Sequence, residues 1–338
     1  MKIFIISNHW LYLLFILFYS GSIFPNELTQ PKGAVVTSNA LATKAGEKIL
    51  AEGGNAYDAA TTISAMLSVV EPFASGLGGG AFWLIYDAKS KKYTMLDARE
   101  TAPLQSHKNM YLDENANVIK NMSTLGPLSA GIPGVPAVLS YVNDKYGSKK
   151  LSTLLDPAYE AAINGFPVNE RYLKGAKYKK KWLKKYKETE AIFLHNGEVP
   201  KKGWILKQAD LARTIKKLMK DGHRSFYTGG FAKRMVESVQ NNGGIWSEGD
   251  LNRYKVLERE PVRSSYKGIS IIAPGLPSSG GLVLSNALNI LAGYELDKLS
   301  PTTQKHLIIE SLRRAYYERA LKMGDPDFMD NTLEFLLT

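Results

Sequence analysis

Cysteine is absent from all 338 residues, which removes disulfide bridges, thiolate metal sites, a thiol nucleophile and a lipidated N-terminal cysteine in one step. Histidine is scarce, five residues with no HExxH or other paired spacing, so no metal centre is expected. A GxSxG elbow is missing too, and no histidine is placed to serve a nucleophilic serine. Internal repeats and low-complexity linkers are not visible. Long apolar runs are confined to the start, where Lys2 precedes Trp10-LYLLFILF-Tyr19 and the small residues Ser20, Gly21 and Ser22. That run fits the apolar stretch of a signal peptide and falls short of the ~20 residues of a membrane span. Residues 1–24 therefore read as an export signal, which puts the protein in the periplasm or outside the cell. Counting Ile3 to Ile6 lengthens the stretch and leaves an uncleaved membrane anchor as the alternative.

What the chain does have is an excess of positive charge, formally +11. Its densest part, Lys174 to Lys187 (KGAKYKKKWLKKYK), sets Tyr178, Trp182 and Tyr186 at i, i+4 and i+8. The spacing predicts an amphipathic helix with the aromatic stripe inward and the lysines in water. The expectation is a solvated basic face, with no nucleic acid as partner.

The folded part, residues 25–338, is expected to begin with a strand at Gly33-AVVTS, followed by a helix capped by Asn39 and stopped at Gly53-Gly54. A second helix, Tyr57 to Val70, is apolar on nearly every side and should be buried. The strands Phe82-WLIYD and Tyr93-TMLD, joined by a turn at Ala88 to Lys92, read as an antiparallel hairpin. Helices follow: one capped by Asp156 with Pro157 at its first position, then Gln208 to Lys220 and Gly230 to Asn241. A second hairpin is expected from Pro261-VRSSY and Gly268-ISIIA. Two helices close the chain, one opened by Pro274-GLPSSGG and one running from Ser300-Pro301 to Met323. Helices bracketing antiparallel hairpins argue for a layered α+β fold.

Three motifs could carry chemistry. The run Gly76-Leu77-Gly78-Gly79-Gly80 could cradle an anion. The order of elements around it, however, is helix, glycines, strand, whereas a dinucleotide site needs strand, glycines, helix. Close packing between a buried helix and a sheet explains the glycines better. Arg99, in Leu96-DARETAP just past a strand, can offer a planar fork to a carboxylate. It could equally pair with Asp97 or Glu100, and residue types alone favour that local ion pair. Ser278 and Ser279, in Pro277-SSGG, could shape an anion pocket or simply cap a helix.

The ordered set Gly54-NAYDAA, Glu71-PFASGLGGGAF, Leu96-DARETAP, Gly165-FPV, Asp210-LARTI, Phe226-YTGG, Asn242-GGIWSEGDLNRY, Leu276-PSSGG, His306-LIIESLRRAYYERA and Gly324-DPDF resembles the γ-glutamyltranspeptidase large subunit from about residue 30 onward. The resemblance implies an N-terminal nucleophile hydrolase with a four-layer αββα sandwich, incomplete in this chain. It implies a heterodimer cut from one precursor, with no cofactor. The small subunit's new N-terminal threonine attacks a γ-glutamyl amide such as glutathione, its own amine acting as base. Water or an acceptor amine then resolves the ester. Arg99 matches the arginine that holds the substrate α-carboxylate, which overrides the ion-pair reading. Neither Ser278 nor Ser279 is given a role. The double threonine Thr302-Thr303 falls in the first turn of the last helix and is not the nucleophile, so that residue is expected beyond Thr338. The chain is then expected to be a fragment, a truncated frame or one chain of a split gene, inactive alone. A related glutaryl or cephalosporin-type acylase and an inactive remnant are the competing readings.

Overall fold

The computed structural model describes residues 33–329, so the segment 1–24 read as a signal or anchor lies outside the described residues. Among the described residues no helix is long and apolar enough to cross a membrane. The elements are α1 (Ala40–Ala51), α2 (Ala56–Val70), β1 (Ala81–Asp87), β2 (Lys92–Ala98), α3 (Val135–Tyr146), α4 (Leu151–Asn164), β3 (Phe166–Pro167), α5 (Glu170–Leu183), α6 (Lys187–Phe193), β4 (Ile205–Leu206), α7 (Ala209–Asp221), α8 (Arg224–Tyr227), α9 (Gly229–Asn241), α10 (Glu248–Arg253), β5 (Leu257–Arg259), β6 (Val262–Tyr266), β7 (Ile269–Ala273), α11 (Gly280–Ala292) and α12 (Pro301–Lys322).

Local chemistry starts these helices where the residue types say it should. Asn39 caps α1 by accepting the Leu41 N–H at 3.0 Å, and Asn55 caps α2 in a reciprocal box with Asp58. Alanine-rich α2 is buried along much of its length and packs against α1, α3 and α4, with α7 stacked on α4. Ser300 caps α12 through the Thr303 N–H at 3.2 Å, which puts Thr302 and Thr303 in a helical first turn, as their surroundings predict.

Asp58 is fully buried. Burial alone would push its carboxyl up, but hydrogen bonds from the Ser148 hydroxyl and the backbone N–H groups of Asn55, Ser148 and Lys149 outweigh that and leave it below the ordinary aspartate range. A carboxyl depressed in the folded state contributes stability above its unfolded pKa and loses it as pH falls through its folded value. The Asp58→Asn variant should therefore unfold at lower urea than wild type at pH 7. The gap between the two midpoints should narrow below about pH 4. Equal midpoints at pH 7 would contradict the role assigned to this carboxylate.

Three expectations are corrected. Gly33 to Ser38 forms no strand, and Val36 is 94% exposed. The helix expected to start at Asp156 starts at Leu151 instead, with Pro157 inside it. A mid-helix proline costs about 3 kcal/mol, but the buried Leu154 and Leu155 stabilise by about 1.5–3 kcal/mol each, so continuing the helix through Pro157 wins. The aromatic stripe of the basic segment packs inward only in part: Trp182 and Tyr186 are half-buried, but Tyr178 is not. The helix spans Glu170 to Leu183, its buried seam runs through Tyr172 and Ala176, and Tyr178 is 81% exposed. The inner seam forms because Tyr172 meets Phe73 edge-on at 6.4 Å and donates a hydrogen bond to the Phe193 carbonyl at 2.6 Å.

The strands form three antiparallel sheets: β1-β2-β5, β3-β4 and β6-β7. Both expected hairpins are present, with Ala81 opposite Ala98 in the first and Val262 opposite Ala273 in the second. Ile85, Leu96 and Ala98 on the inner face of the first sheet pack against Val138 and Val142 of α3. Its other face leaves Leu84 and Tyr86 exposed. Strand β5 joins the free edge of β2 with Asp97 opposite Leu257 and Met95 opposite Arg259.

Candidate functional site at the end of strand β2

Strand β2 ends at Ala98, so Arg99 is the first residue to leave the sheet. The backbone around it is pinned from several sides. The Arg99 N–H donates to the Asp97 carboxylate at 3.1 Å, and the Tyr254 hydroxyl donates to the Arg99 carbonyl at 2.9 Å. Further along, Thr101 and Ile132 exchange backbone hydrogen bonds, and the Asp250 carboxylate accepts the Leu104 N–H at 2.7 Å.

Two glycines make this packing possible. A Cβ on Gly134 would lie 1.9 Å from the Ala98 carbonyl oxygen and 2.1 Å from the Tyr254 hydroxyl. On Gly80 it would lie 2.6 Å from the Glu100 nitrogen and 2.7 Å from the Ala98 oxygen. No side chain fits at either distance. Within the run 76–80, Gly80 serves close approach of backbone to backbone, whereas a Cβ on Gly76 or Gly78 would meet nothing closer than 3.9 Å.

Tyr254 is itself held. Its ring stacks on Tyr227 at 5.5 Å with the planes 7° apart, and Tyr227 donates to the Pro133 carbonyl at 2.8 Å while accepting the Ala137 N–H at 3.2 Å. Burial pushes the Tyr254 phenol well above its ordinary pKa, and the charges of Asp97 and Glu100 push it further. It thus stays protonated and remains a donor to the Arg99 carbonyl.

Asp97 does form an ion pair, but with Arg259 and not with Arg99. Arg259 reaches Asp97 at 2.7 Å from the diagonal position on β5 and grips Asp327 with two further bonds of 3.0 and 2.8 Å. The same contact holds the Asp327 carboxyl below the usual range. With Asp97 committed to Arg259, the Arg99 guanidinium forms no ion pair among the described residues and lies 6.0 Å from the Phe82 ring centre.

Arg99, Glu100, Tyr254, Arg259 and Asp327 line one cleft of about 360 Å³, which Arg253 and Pro277 also reach. A guanidinium exposed at the rim of a cleft, with its backbone fixed and the Asp97 carboxylate already neutralised by Arg259, is equipped to take a carboxylate from solution. Ser278 and Ser279 are not among the lining residues. Ser279 stands at the start of α11 without capping it, and its hydroxyl accepts from Arg319 at 2.8 Å. Sequence reasoning named Arg99 and assigned nothing to Tyr254, Arg259 or Asp327. All three stand in or beside quoted motifs, but only their convergence from remote positions marks them.

A model of the family described as γ-glutamyltranspeptidase matches residues 42–338. A glutathione hydrolase proenzyme from Pseudomonas sp. (strain A14) is 40% identical over 308 residues, covering 90% of this chain and 53% of that protein. The chain thus spans about half the length of the curated relatives it matches. The crystal structure of Helicobacter pylori γ-glutamyltranspeptidase superimposes with a TM-score of 0.88 at 38% identity, covering 90% of this chain and 88% of that one. Cephalosporin acylase from Bacillus halodurans follows the same course at TM-score 0.79 and 26% identity, covering 94% of this chain and 61% of that one. These likenesses carry the α+β assignment to the N-terminal nucleophile hydrolase type.

Proposed function

Because the chain belongs to the γ-glutamyltranspeptidase family, we propose that it is the large-subunit part of an enzyme that cleaves γ-glutamyl amides such as glutathione, with Arg99 binding the substrate α-carboxylate. The observation that supports this reading is the guanidinium of Arg99, unpaired among the described residues, at the rim of the β2 cleft. A second polypeptide segment, carrying an N-terminal threonine, supplies the nucleophile. The threonine hydroxyl attacks the γ-carbonyl, its amine takes the proton, the amide nitrogen leaves protonated, and water or an acceptor amine opens the γ-glutamyl ester. The residues at hand position substrate for that attack. Within the 338 residues, Thr302 and Thr303 are inside a helical turn and cannot act as an N-terminal nucleophile, so the chain alone should be inactive. Export by the N-terminal segment belongs to the same reading.

The structural likeness to a cephalosporin acylase favours a second substrate class, a glutaryl-type acyl group. Such a chain has the distal carboxylate but no α-ammonium. Glu100 lines the cleft and has no cationic partner among the described residues, which suits an ammonium beside the carboxylate. The deciding experiment gives γ-glutamyl anilide, its α-carboxamide and glutaryl anilide to this chain assembled with the second half of the family sequence. The γ-glutamyl anilide should be turned over with kcat/KM at least about tenfold above either analogue. Glutaryl anilide as the better substrate would replace the γ-glutamyl assignment with the acylase one.

A further inference from the structure

The face of α5 turned away from the core carries Lys174, Lys177 and Lys181 around Tyr178, with Lys185 just past the helix end, all exposed to solvent. At 3.6 residues per turn these positions lie opposite the inward seam of Tyr172, Ala176 and Leu183. None of the four lysines pairs with a carboxylate among the described residues. Of the nearby acids, Glu190 is engaged by Lys184 at 3.9 Å, Glu198 by Lys180 and Glu170 by Lys202 at 3.3 Å, while Glu188 lies in the next helix without an ion pair among the described residues. On the opposite, inward side of the helix, Phe73, Tyr172, Ala176, Trp182, Leu183 and Phe193 line an apolar recess of about 300 Å³, with Lys179 on its rim.

We propose that this face of α5 docks on an anionic phospholipid surface. Tyr178, with the Lys179 ammonium 5.3 Å from its ring centre, is exposed in the middle of lysines that have no carboxylate partner among the described residues. At a bilayer its ring sits at headgroup level while lysine stems lie flat and their ammonium groups meet phosphate. A single-stranded nucleic acid would need a basic groove with successive stacking rings, whereas these cations lie on a convex helix around one ring. A folded protein partner is disfavoured because stable interfaces are depleted in lysine at their centre. The exposed Ile309, Tyr317 and Leu321 of α12 offer a far more apolar surface for that purpose. The inference stands apart from the reading of the cleft.

The test is partition of the full chain onto vesicles of phosphatidylcholine alone and of phosphatidylcholine mixed with phosphatidylglycerol. The N-terminal segment is common to wild type and variants, so the difference between them on anionic vesicles reports the lysine face. Binding to the anionic vesicles should be at least about tenfold stronger and should weaken with added salt. The preference should vanish in the Lys174→Glu/Lys177→Glu/Lys181→Glu variant and in its Lys→Gln counterpart. Both sets change exposed side chains, and an unchanged melting curve checks that they fold. Tyr178→Ser should weaken anionic binding about threefold while keeping its salt dependence. Equal binding to both vesicle types overturns the proposal, as does a preference that survives the triple variants. Retention of an RNA oligonucleotide without any anionic-vesicle preference overturns it as well.

Discussion

Arg99→Lys, in the chain assembled with the second half of the enzyme, should leave assembly intact and lower kcat/KM for a γ-glutamyl anilide by roughly thirty-fold to a thousand-fold. The reason is geometric. A guanidinium gives a carboxylate two parallel charge-assisted hydrogen bonds, and an ammonium on a shorter, flexible stem gives a point charge. Losing the bidentate contact should cost about 2–4 kcal/mol, in line with truncated buried charge pairs. Lysine also lacks the planar group that Arg99 sets 6.0 Å from the Phe82 ring centre. If Arg99 holds ground state and transition state equally, the loss will show in KM; if it aligns the γ-carbonyl for attack, kcat will fall as well. The α-carboxamide substrate, poor from the outset, should change little. A kcat/KM within about twofold of wild type, under ~0.5 kcal/mol, would reduce Arg99 to a surface cation.

Arg259→Met should destabilise the fold by about 2–4 kcal/mol, below the full 3–5 kcal/mol of a broken buried ion pair because Arg259 keeps some contact with solvent. Its side chain is 17% exposed, against 8% for Asp97 and 48% for Asp327. The change strands the Asp97 carboxylate, which keeps only the Arg99 N–H as a donor. It also releases the Asp325 to Phe328 turn from β5. The midpoint of urea unfolding measures the first effect, and faster proteolysis between Met323 and Met329 measures the second. Adding Asp97→Asn should recover part of the loss, because an amide is cheaper to bury unpaired than a carboxylate. A double variant no more stable than Arg259→Met alone would show that packing, and not charge, holds this corner. The Asp327 link has its own pH dependence. Its carboxyl is depressed by Arg259, so the link is complete above the ordinary aspartate range and is lost as pH falls through the lowered value.

Much of the architecture was legible because its signals are local. Asn39, Asn55 and Ser300 cap their helices through groups two or three residues away, and a two-strand hairpin needs only alternation and a short turn. The position of Arg99 followed from the end of β2 by the same short-range logic. The expectations that failed ran against longer-range forces. Pro157 reads as a helix start only if the burial of Leu154 and Leu155 is unknown. Tyr178 reads as core only if the inner seam is taken from aromatic spacing and not from Phe73 and Phe193, which the chain brings in from elsewhere.

The sequence by itself determined the two hairpins, several of the helices, the family pattern, and the arginine at the strand end. These rest on residue types and on contacts within a helical turn or a hairpin. Only the tertiary structure decided that Asp97 belongs to Arg259, 162 positions away, and that Tyr254 holds the Arg99 carbonyl from 155 positions away. An ion pair or hydrogen bond between such remote residues depends on the path of the whole intervening chain, and no local propensity encodes that path.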